Sequence, residues 1–336
     1  MICSHNGSDH IDLTAIIEYN YKAIHTTDVR YCLINLFLKG SGTVARELTS
    51  AQLIERSIIK KYRGDIWNKF VMALKDYRLI SGDDRIAVGV SGRKSSLAMA
   101  VCLKHLQAYS KVKFQLRYIF IDPGYDEKNL ALAKRSFELS GLPVEICRSD
   151  IINRSSEADD PFDSCGSLMQ KELLKIAEKC GCNKLALGQN FDDVIEDNFS
   201  AMVSRGKIEC MMPRIYPSED IHVEAVRPMY MVRESYLRDW VRYNSLELAD
   251  SVFECSVLAE NKSVKDKLSE IMYTKSLMER FRKTNPYIET NLFKCMYNVN
   301  LRTILSYTKG GKRYGFTDRY DSLADNYSGL PEDAEI

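Results

Sequence analysis

The sequence predicts an α/β protein in which a mostly parallel sheet is flanked by helices, with helical segments before and after the sheet. Three observations predict this class. Apolar runs of strand length alternate with segments of helical periodicity in the middle of the 336-residue chain. Several of these runs end in short glycine-rich or polar turns. The order of strand and helix indicates parallel strands joined by right-handed crossovers.

The elements follow in order from a helical pattern over residues 49–79, where apolar residues recur near helical spacing. Residues 1–50 predict a helix or two and nothing more. Gly141 and Gly181 close two of the later helices, as glycine does at helix C-termini. The predicted elements are strand 86–90, a helix from 97, strand 114–121, helix 127–140, strand 144–147, helix 167–180, strand 184–187, a helix after 193, and helices 235–243 and 264–282.

The composition excludes few classes of function. There are 47 basic and 46 acidic residues, so the global charge neither demands nor excludes a nucleic-acid partner. No apolar run approaches the ~20 residues of a membrane span, and the N-terminus lacks the features of a signal peptide. We therefore expect a cytoplasmic protein without a membrane partner. Its ten cysteines include no C-x-x-C pair, which favours reduced thiols that mostly fill the core.

A short loop of small and cationic residues separates the first strand from its helix. Free backbone N–H groups and the positive end of a helix make such a loop an anion site, and its hydroxyls and lysine suit phosphate. It is not a Walker A loop. The alternative is an ordinary serine-rich turn. The residues assigned to phosphate binding are Ser91, Gly92, Arg93, Lys94, Ser95 and Ser96.

Two further strand ends carry polar residues. Asp122 follows the second strand, and the turn 188–193, which contains Gly188, Asp192 and Asp193, follows the fourth. Ligands of parallel sheets bind at the carboxyl ends of the strands, so these loops should converge with the serine-rich loop on one cleft. The alternative for the two aspartates is capping of the next helix.

From about residue 52 to residue 320 the chain resembles the tRNA 2-thiocytidine synthetase family of PP-loop ATP pyrophosphatases. The serine-rich loop is similar to the family's PP-loop, S-G-G-x-D-S. The other segments that carry the resemblance are 54–62, Phe120-Ile-Asp-Pro-Gly-Tyr125, 183–196, Met211-Met-Pro-Arg214, 226–234 and Asn298-Val-Asn-Leu301. They keep the family's order along the chain.

The resemblance implies an adenine nucleotide α-hydrolase-like fold, ATP with Mg²⁺, adenylation of a cytidine at C2 in the tRNA anticodon loop, and sulfur transfer from a 4Fe–4S cluster held by three cysteines. It also implies tRNA as partner and a sulfur donor such as a cysteine desulfurase, and it leaves a homodimer open. Asp122 would face the nucleoside, and Gly188 would let the backbone approach the nucleotide. Asp192 and Asp193 would hold Mg²⁺ or position the reacting groups.

The loop departs from the family pattern at two positions. Arg93 stands in place of the second glycine, which tolerates positive φ, and Ser95 stands in place of the aspartate. The family's two histidines after the fourth strand are Gln189 and Asn190 here, which keep hydrogen bonding but cannot carry a cation. These changes leave open whether catalysis survives.

The cysteines differ from the family pattern more than the loop does. Phe162 replaces one cysteine of the family's C-x-x-C, so Cys165 and Cys255 are the candidates that remain. Because a cubane takes three or four cysteine ligands, and zinc would also lack ligands, we expect no stoichiometric 4Fe–4S cluster and assign no metal ligands. One alternative is a cluster-free thiolation enzyme acting on another substrate, with Cys165 as a persulfide carrier whose pKa a helix N-terminus lowers.

The other alternative is a catalytically degenerate nucleotide- and tRNA-binding protein. Basic residues that could contact phosphates are Arg56, Lys60, Lys61, Arg63, Lys69, Lys309, Lys312 and Arg313; an ordinary solvated face is the alternative for each. The predicted organisation is a helical region over 1–80, a nucleotide-binding α/β domain over 81–245, a second helical region over 246–317 and an acidic, poorly ordered tail over 318–336.

Overall fold

The computed structural model describes residues 48–216, 220–254, 256–301 and 303–318. Most of the predicted N-terminal helices and of the acidic tail, together with Cys255, lie outside these ranges. The described residues up to Glu279 form one compact unit, and those from Arg280 onward belong to a second. None of the helices in the described ranges is both long enough and apolar enough to span a bilayer.

The elements before and within the sheet region are α1 (Ser50–Ile59), a π-helical turn (Arg63–Trp67), α2 (Asn68–Asp76), β1 (Arg85–Gly89), α3 (Lys94–Tyr109), β2 (Gln115–Asp122), α4 (Glu127–Leu139), β3 (Val144–Arg148), α5 (Ile151–Ser156), α6 (Pro161–Lys179), β4 (Lys184–Ala186), α7 (Phe191–Arg205), β5 (Arg214–Ile215), β6 (Glu224–Val226) and α8 (Glu234–Tyr243). They are followed by a 3₁₀ turn (Val257–Glu260), α9 (Lys262–Thr284), α10 (Ile288–Cys295), and the hairpin β7 (Ser306–Lys309) and β8 (Lys312–Gly315).

Six strands form one sheet in the order β3-β2-β1-β4-β6-β5. All neighbours are parallel except β5, which pairs antiparallel with β6. Val88 of β1 pairs with Tyr118 on one side and Ala186 on the other. The predicted class, a mostly parallel sheet flanked by helices, is confirmed.

The central strand is buried on both sides, which explains its continuous apolar sequence. Ile86 and Val88 pack into a cluster built largely from α1, α2, α3 and α8. Ala87 belongs to a second cluster with Leu174 and Ala177 of α6. Because successive strand residues point to opposite faces, these two clusters cover the two faces of the sheet.

Some boundaries differ from those predicted. The helical pattern over 49–79 is two α-helices joined by a π-helical turn. Helix α6 begins at Pro161 rather than residue 167, because Asp160 caps it by accepting from the Asp163 N–H at 3.0 Å and proline suits the first turn. Helix α5, the strands β5 and β6, and the terminal hairpin were not predicted. Each is too short for periodicity to reveal it.

Candidate nucleotide-binding site

The serine-rich loop and the turn after β4 meet where the strand order reverses. β1 and β4 are neighbours, but the chain passes from β1 to β2 on one side and from β4 on to β6 on the other. In open α/β sheets such a switch point forms a crevice at the carboxyl ends of the strands. The two loops that the sequence predicted to converge are therefore brought together.

Internal hydrogen bonds hold the loop after β1. The buried Ser96 hydroxyl accepts from the Ser91 N–H at 3.0 Å, lies 2.9 Å from the Ser91 hydroxyl, and donates to the Arg93 carbonyl at 3.1 Å. Gly92 takes the positive φ, 74°. Arg93 is extended at φ −99°, so this position does not use the positive φ that the family's second glycine tolerates. The arginine is accommodated without backbone strain.

Gly188 permits a close approach of two backbone segments. A Cβ at Gly188 would lie 2.8 Å from the Ser96 nitrogen and 2.9 Å from its Cα. The glycine was predicted to admit the nucleotide; the contact it makes possible is with this chain's own loop. It lets the first turn of α3 pack directly on the turn after β4.

Two helix N-termini consequently face one crevice. Asn190 caps α7 by accepting from the Asp192 and Asp193 N–H groups, and Asp193 accepts from the Asn190 N–H at 2.8 Å. The Asn190 amide also donates to the Ser95 hydroxyl at 3.2 Å and thereby ties α7 to α3. Ser95 and Asn190 both depart from the family pattern, and they contact each other. Adjacent helix N-termini favour an anion between them.

Both predicted aspartates take part in helix capping. Asp193 completes the capping box of α7, and Asp192 accepts from the Glu234 N–H at 2.7 Å at the start of α8. Capping of the next helix is therefore observed for Asp193, whereas Asp192 accepts from the first N–H of α8, and Asn190 is the capping residue of α7. A role with Mg²⁺ stays a prediction.

A chain of ion pairs crosses the crevice. The Lys94 ammonium lies 2.7 Å from the Glu234 carboxylate. Lys275 of α9 lies 3.5 Å from Glu196 and 4.0 Å from Glu234. Two lysines and two glutamates thus alternate beside the loop 91–96. The Asp193 carboxylate lies close enough to interact with Glu234 and Lys275.

Burial and these charges shift the pKa values of the two glutamates in opposite directions. Burial raises the pKa of Glu196 to about 7; Lys275 opposes the shift, while Asp193 and Glu234 add to it. Burial likewise raises the pKa of Asp193. Burial also acts to raise the pKa of Glu234, but the hydrogen bond and charge of Lys94, together with Lys275, lower it overall. Glu234 is therefore the ionised partner of Lys94, and Glu196 titrates near neutral pH.

Asp122 lies at the end of β2, one strand from the loop, and is buried. One of its carboxylate oxygens accepts from the N–H groups of Gly124 and Tyr125 at 3.1 and 3.0 Å. These bonds fix the turn after β2. Contact with a nucleoside remains a prediction for this residue.

Cys165 lies apart from this network. It sits inside α6 rather than before a helix, is 1% exposed, and packs with Ile121, Ile152 and Leu258. Burial raises the pKa of its thiol. The expectation of a thiol pKa lowered by a helix N-terminus was therefore wrong, because burial raises the pKa of Cys165 by more than a hydrogen bond with Ser155 lowers it.

The described residues do not fit an iron–sulfur cluster. Phe162, which replaces the family cysteine, stacks on Phe253 with ring centroids 4.2 Å apart. Within the described ranges no three His, Cys, Asp or Glu side chains come together to hold a metal. Cys255 lies outside those ranges.

Three residues of the site carried no predicted role. Glu196 and Glu234 lie within segments of the family resemblance, and Glu196 is one helical turn after Asp192, which places both on one face of α7. That spacing could have identified it. Nothing in the sequence around Lys275 indicated that α9 would bring it to the loop after β1.

The comparisons with known proteins agree with the fold. The strand order and the loop at the switch point define a PP-loop α/β fold. Among solved structures the U34-tRNA thiolase NcsA from Methanococcus maripaludis, solved with its 4Fe–4S cluster, has a TM-score of 0.53 and 17% identity, and covers 84% of this chain and 92% of that one. That likeness concerns the fold alone.

Curated relatives carry the resemblance further, although no family model matches the chain. The chain is 28% identical over 257 residues to the tRNA-cytidine(32) 2-sulfurtransferase of Geotalea daltonii, covering 75% of this chain and 97% of that protein. The protein of that name from Geobacter metallireducens is 29% identical over 250 residues, which cover 73% and 93%. The resemblance to the tRNA 2-thiocytidine synthetase family is confirmed over about three quarters of the chain.

Proposed function

We propose that this protein binds ATP between the loop 91–96 and the turn that begins at Gly188, and uses it to adenylate a cytidine of tRNA before sulfur is transferred to C2. One observation carries the proposal. The helix N-termini of α3 and α7 are packed together at the switch point of the sheet, with Lys94 beside them. This is the arrangement that favours a polyphosphate.

The chemistry divides into two displacements. The C2 carbonyl oxygen of the cytidine attacks the α-phosphorus of ATP, and pyrophosphate leaves. The backbone N–H groups of the loop and Lys94 would stabilise the negative charge on the departing pyrophosphate. A sulfur nucleophile then attacks C2, and AMP leaves with the original oxygen.

Mg²⁺ would arrive with the nucleotide. This ion is usually held by one or two carboxylates together with substrate phosphates rather than by a complete protein cage. Asp192 and Asp193 lie in the first turn of α7 beside the loop, and they are the residues we assign to it. A protein cage is not built from the described residues.

The sulfur step is assigned to the two surviving cysteines. A persulfide on Cys165 would attack C2 through its terminal sulfur, and the thiolate of Cys255 would then cleave the sulfur–sulfur bond, leaving a Cys165–Cys255 disulfide and the thiolated base. Because Cys165 is buried against α5 and the 3₁₀ turn, this step requires those elements to separate from α6. A dithiol reductant would return the disulfide to two thiols, and a sulfur donor such as a cysteine desulfurase would then load Cys165 in that open state.

A specific observation favours a second candidate function, a nucleotide- and tRNA-binding protein without sulfur transfer. The candidate sulfur carrier is 1% exposed and its thiol pKa is raised. Ser95 and Asn190 also form an uncharged pair where the family pattern has an aspartate and a histidine. Binding of phosphates depends on neither feature.

The decisive experiment combines binding with turnover. We expect Gly92→Trp to abolish ATP binding in calorimetric titrations, because its Cβ would already lie 3.1 Å from that of the buried Ala133, so that the indole would displace the loop that binds phosphate. Gly206→Trp is the matched control, since Gly206 also has positive φ, 63°, but a Cβ added there would meet no atom within 4 Å. Unchanged ATP affinity in a folded Gly92→Trp protein would place the nucleotide elsewhere.

Pyrophosphate release with ATP and tRNA then separates the two candidates. Release that requires tRNA supports the adenylating enzyme. The assay is run under anaerobic conditions with a sulfur donor present. Tight binding of ATP and tRNA without any pyrophosphate release would support the second candidate, a binding protein without sulfur transfer.

A further inference from the structure

A cleft of about 670 Å³ lies at the far end of α8 from the crevice. Its walls are α1, the C-terminal end of α4, and the C-terminal end of α8 with the residues that follow. Helix α8 begins at Glu234, beside Lys94, and ends at Tyr243 in the cleft. Ten residues of α-helix separate the two places by roughly 14 Å.

The cleft has a strongly positive lining. Arg56, Lys60 and Lys61 line it together, and among the residues that the structure describes no aspartate or glutamate lines it. All three cations are exposed, and within the described ranges none forms an ion pair. Lys61 instead lies 3.6 Å from the centre of the Tyr243 ring. An aromatic ring holds a cation in place without neutralising it.

The floor of the cleft is rigid. The buried Ser57 hydroxyl accepts from the Trp240 indole at 2.9 Å and from the Asn244 amide at 3.1 Å. Tyr62 donates to the Asp239 carbonyl at 3.0 Å. The bonds of Ser57 join α1 to α8 and fix the backbone from which the three cations extend, which lowers the entropic cost of binding a ligand with regularly spaced anions.

We propose that this cleft binds the phosphate backbone of the RNA whose reactive nucleotide occupies the crevice. The inference rests on the proposed function and extends it to a second surface. Arg56, Lys60 and Lys61 each contact phosphate. The length of α8 sets the distance between these phosphates and the reactive nucleotide in the crevice. Lys69, which the sequence grouped with these cations, is exposed on α2 and does not line the cleft.

The test compares two double variants of equal charge. Arg56→Gln with Lys60→Gln removes two cations from the cleft, and Lys69→Gln with Lys75→Gln removes two exposed cations from α2. Binding of a labelled tRNA transcript is measured by anisotropy across a salt series. We expect the cleft variant to bind tRNA on the order of tenfold more weakly. The negative slope of log K against log salt should become shallower by about 2, because each lost phosphate contact removes about 1 from its magnitude.

The control variant should keep the wild-type slope, and both variants should keep wild-type ATP affinity. Equal weakening by both variants would mean diffuse attraction and would overturn the assigned surface, as would a cleft variant with wild-type affinity and slope. In either case tRNA-dependent pyrophosphate release would still support the proposed function. A wild-type protein that binds ATP but not tRNA would overturn both proposals.

Discussion

Glu196 gives the site a titration that stability measurements can isolate. Burial raises its pKa from the ordinary 4.5 to about 7. The folded protein therefore holds this proton more tightly than the unfolded chain does. The stability that this proton contributes is fully present below about pH 4.5 and is lost as the pH rises through about 7. Replacement by glutamine removes the titration and leaves a neutral side chain of similar shape.

The magnitude follows from the same shift. One pKa unit corresponds to about 1.36 kcal/mol, so this proton contributes at most roughly 3 kcal/mol to the free energy of unfolding. The Glu196 side chain is 22% exposed and is coupled to Lys275, which reduces the expected effect. Between pH 5 and pH 8 we expect wild-type stability to fall by about 1–2 kcal/mol relative to Glu196→Gln.

The assay is urea unfolding of both proteins at several pH values from 5 to 8. Glu270→Gln is the matched control: hydrogen bonds from Lys267 and Ser204 lower the pKa of Glu270, so this carboxyl group is ionised throughout the range. Its stability difference from wild type should not vary with pH. A constant difference between wild type and Glu196→Gln would refute the assigned titration, and a difference that grows in the opposite direction would show that Lys275 dominates over burial.

Two further predictions concern the charged and thiol groups. Glu234→Gln should tighten ATP binding several-fold in calorimetric titrations, because the nucleotide phosphates no longer compete with a carboxylate for Lys94; weaker binding would mean that Glu234 positions the lysine for phosphate. Cys165 should react with a maleimide far more slowly than the exposed Cys295, as followed by mass spectrometry of the folded protein. Comparable rates for the two thiols would show that α6 opens readily.

Local sequence predicted the sheet and its central loop well. The strand 86–90 and the loop that follows it were predictable because an apolar run buried on both faces and a cluster of small polar residues are local signals. The start of α6 was also encoded locally, in Asp160 and Pro161, but apolar periodicity, which begins later than the cap, placed the predicted start at residue 167. The strand β6 is three residues long, and no periodicity can be read from so few positions.

The sequence by itself determined the class of fold, the loop after β1 and the turn after β4, because strand-end loops of a parallel sheet converge whatever their details. Only the tertiary structure decided how those groups are charged and which are accessible. Lys94 meets Glu234, and Glu196 meets Lys275 across residues distant in the chain, so their titration depends on packing. Cys165 was predicted as a reactive thiol from its place in a motif, but desolvation depends on what surrounds a group in space, and there it is enclosed by apolar side chains.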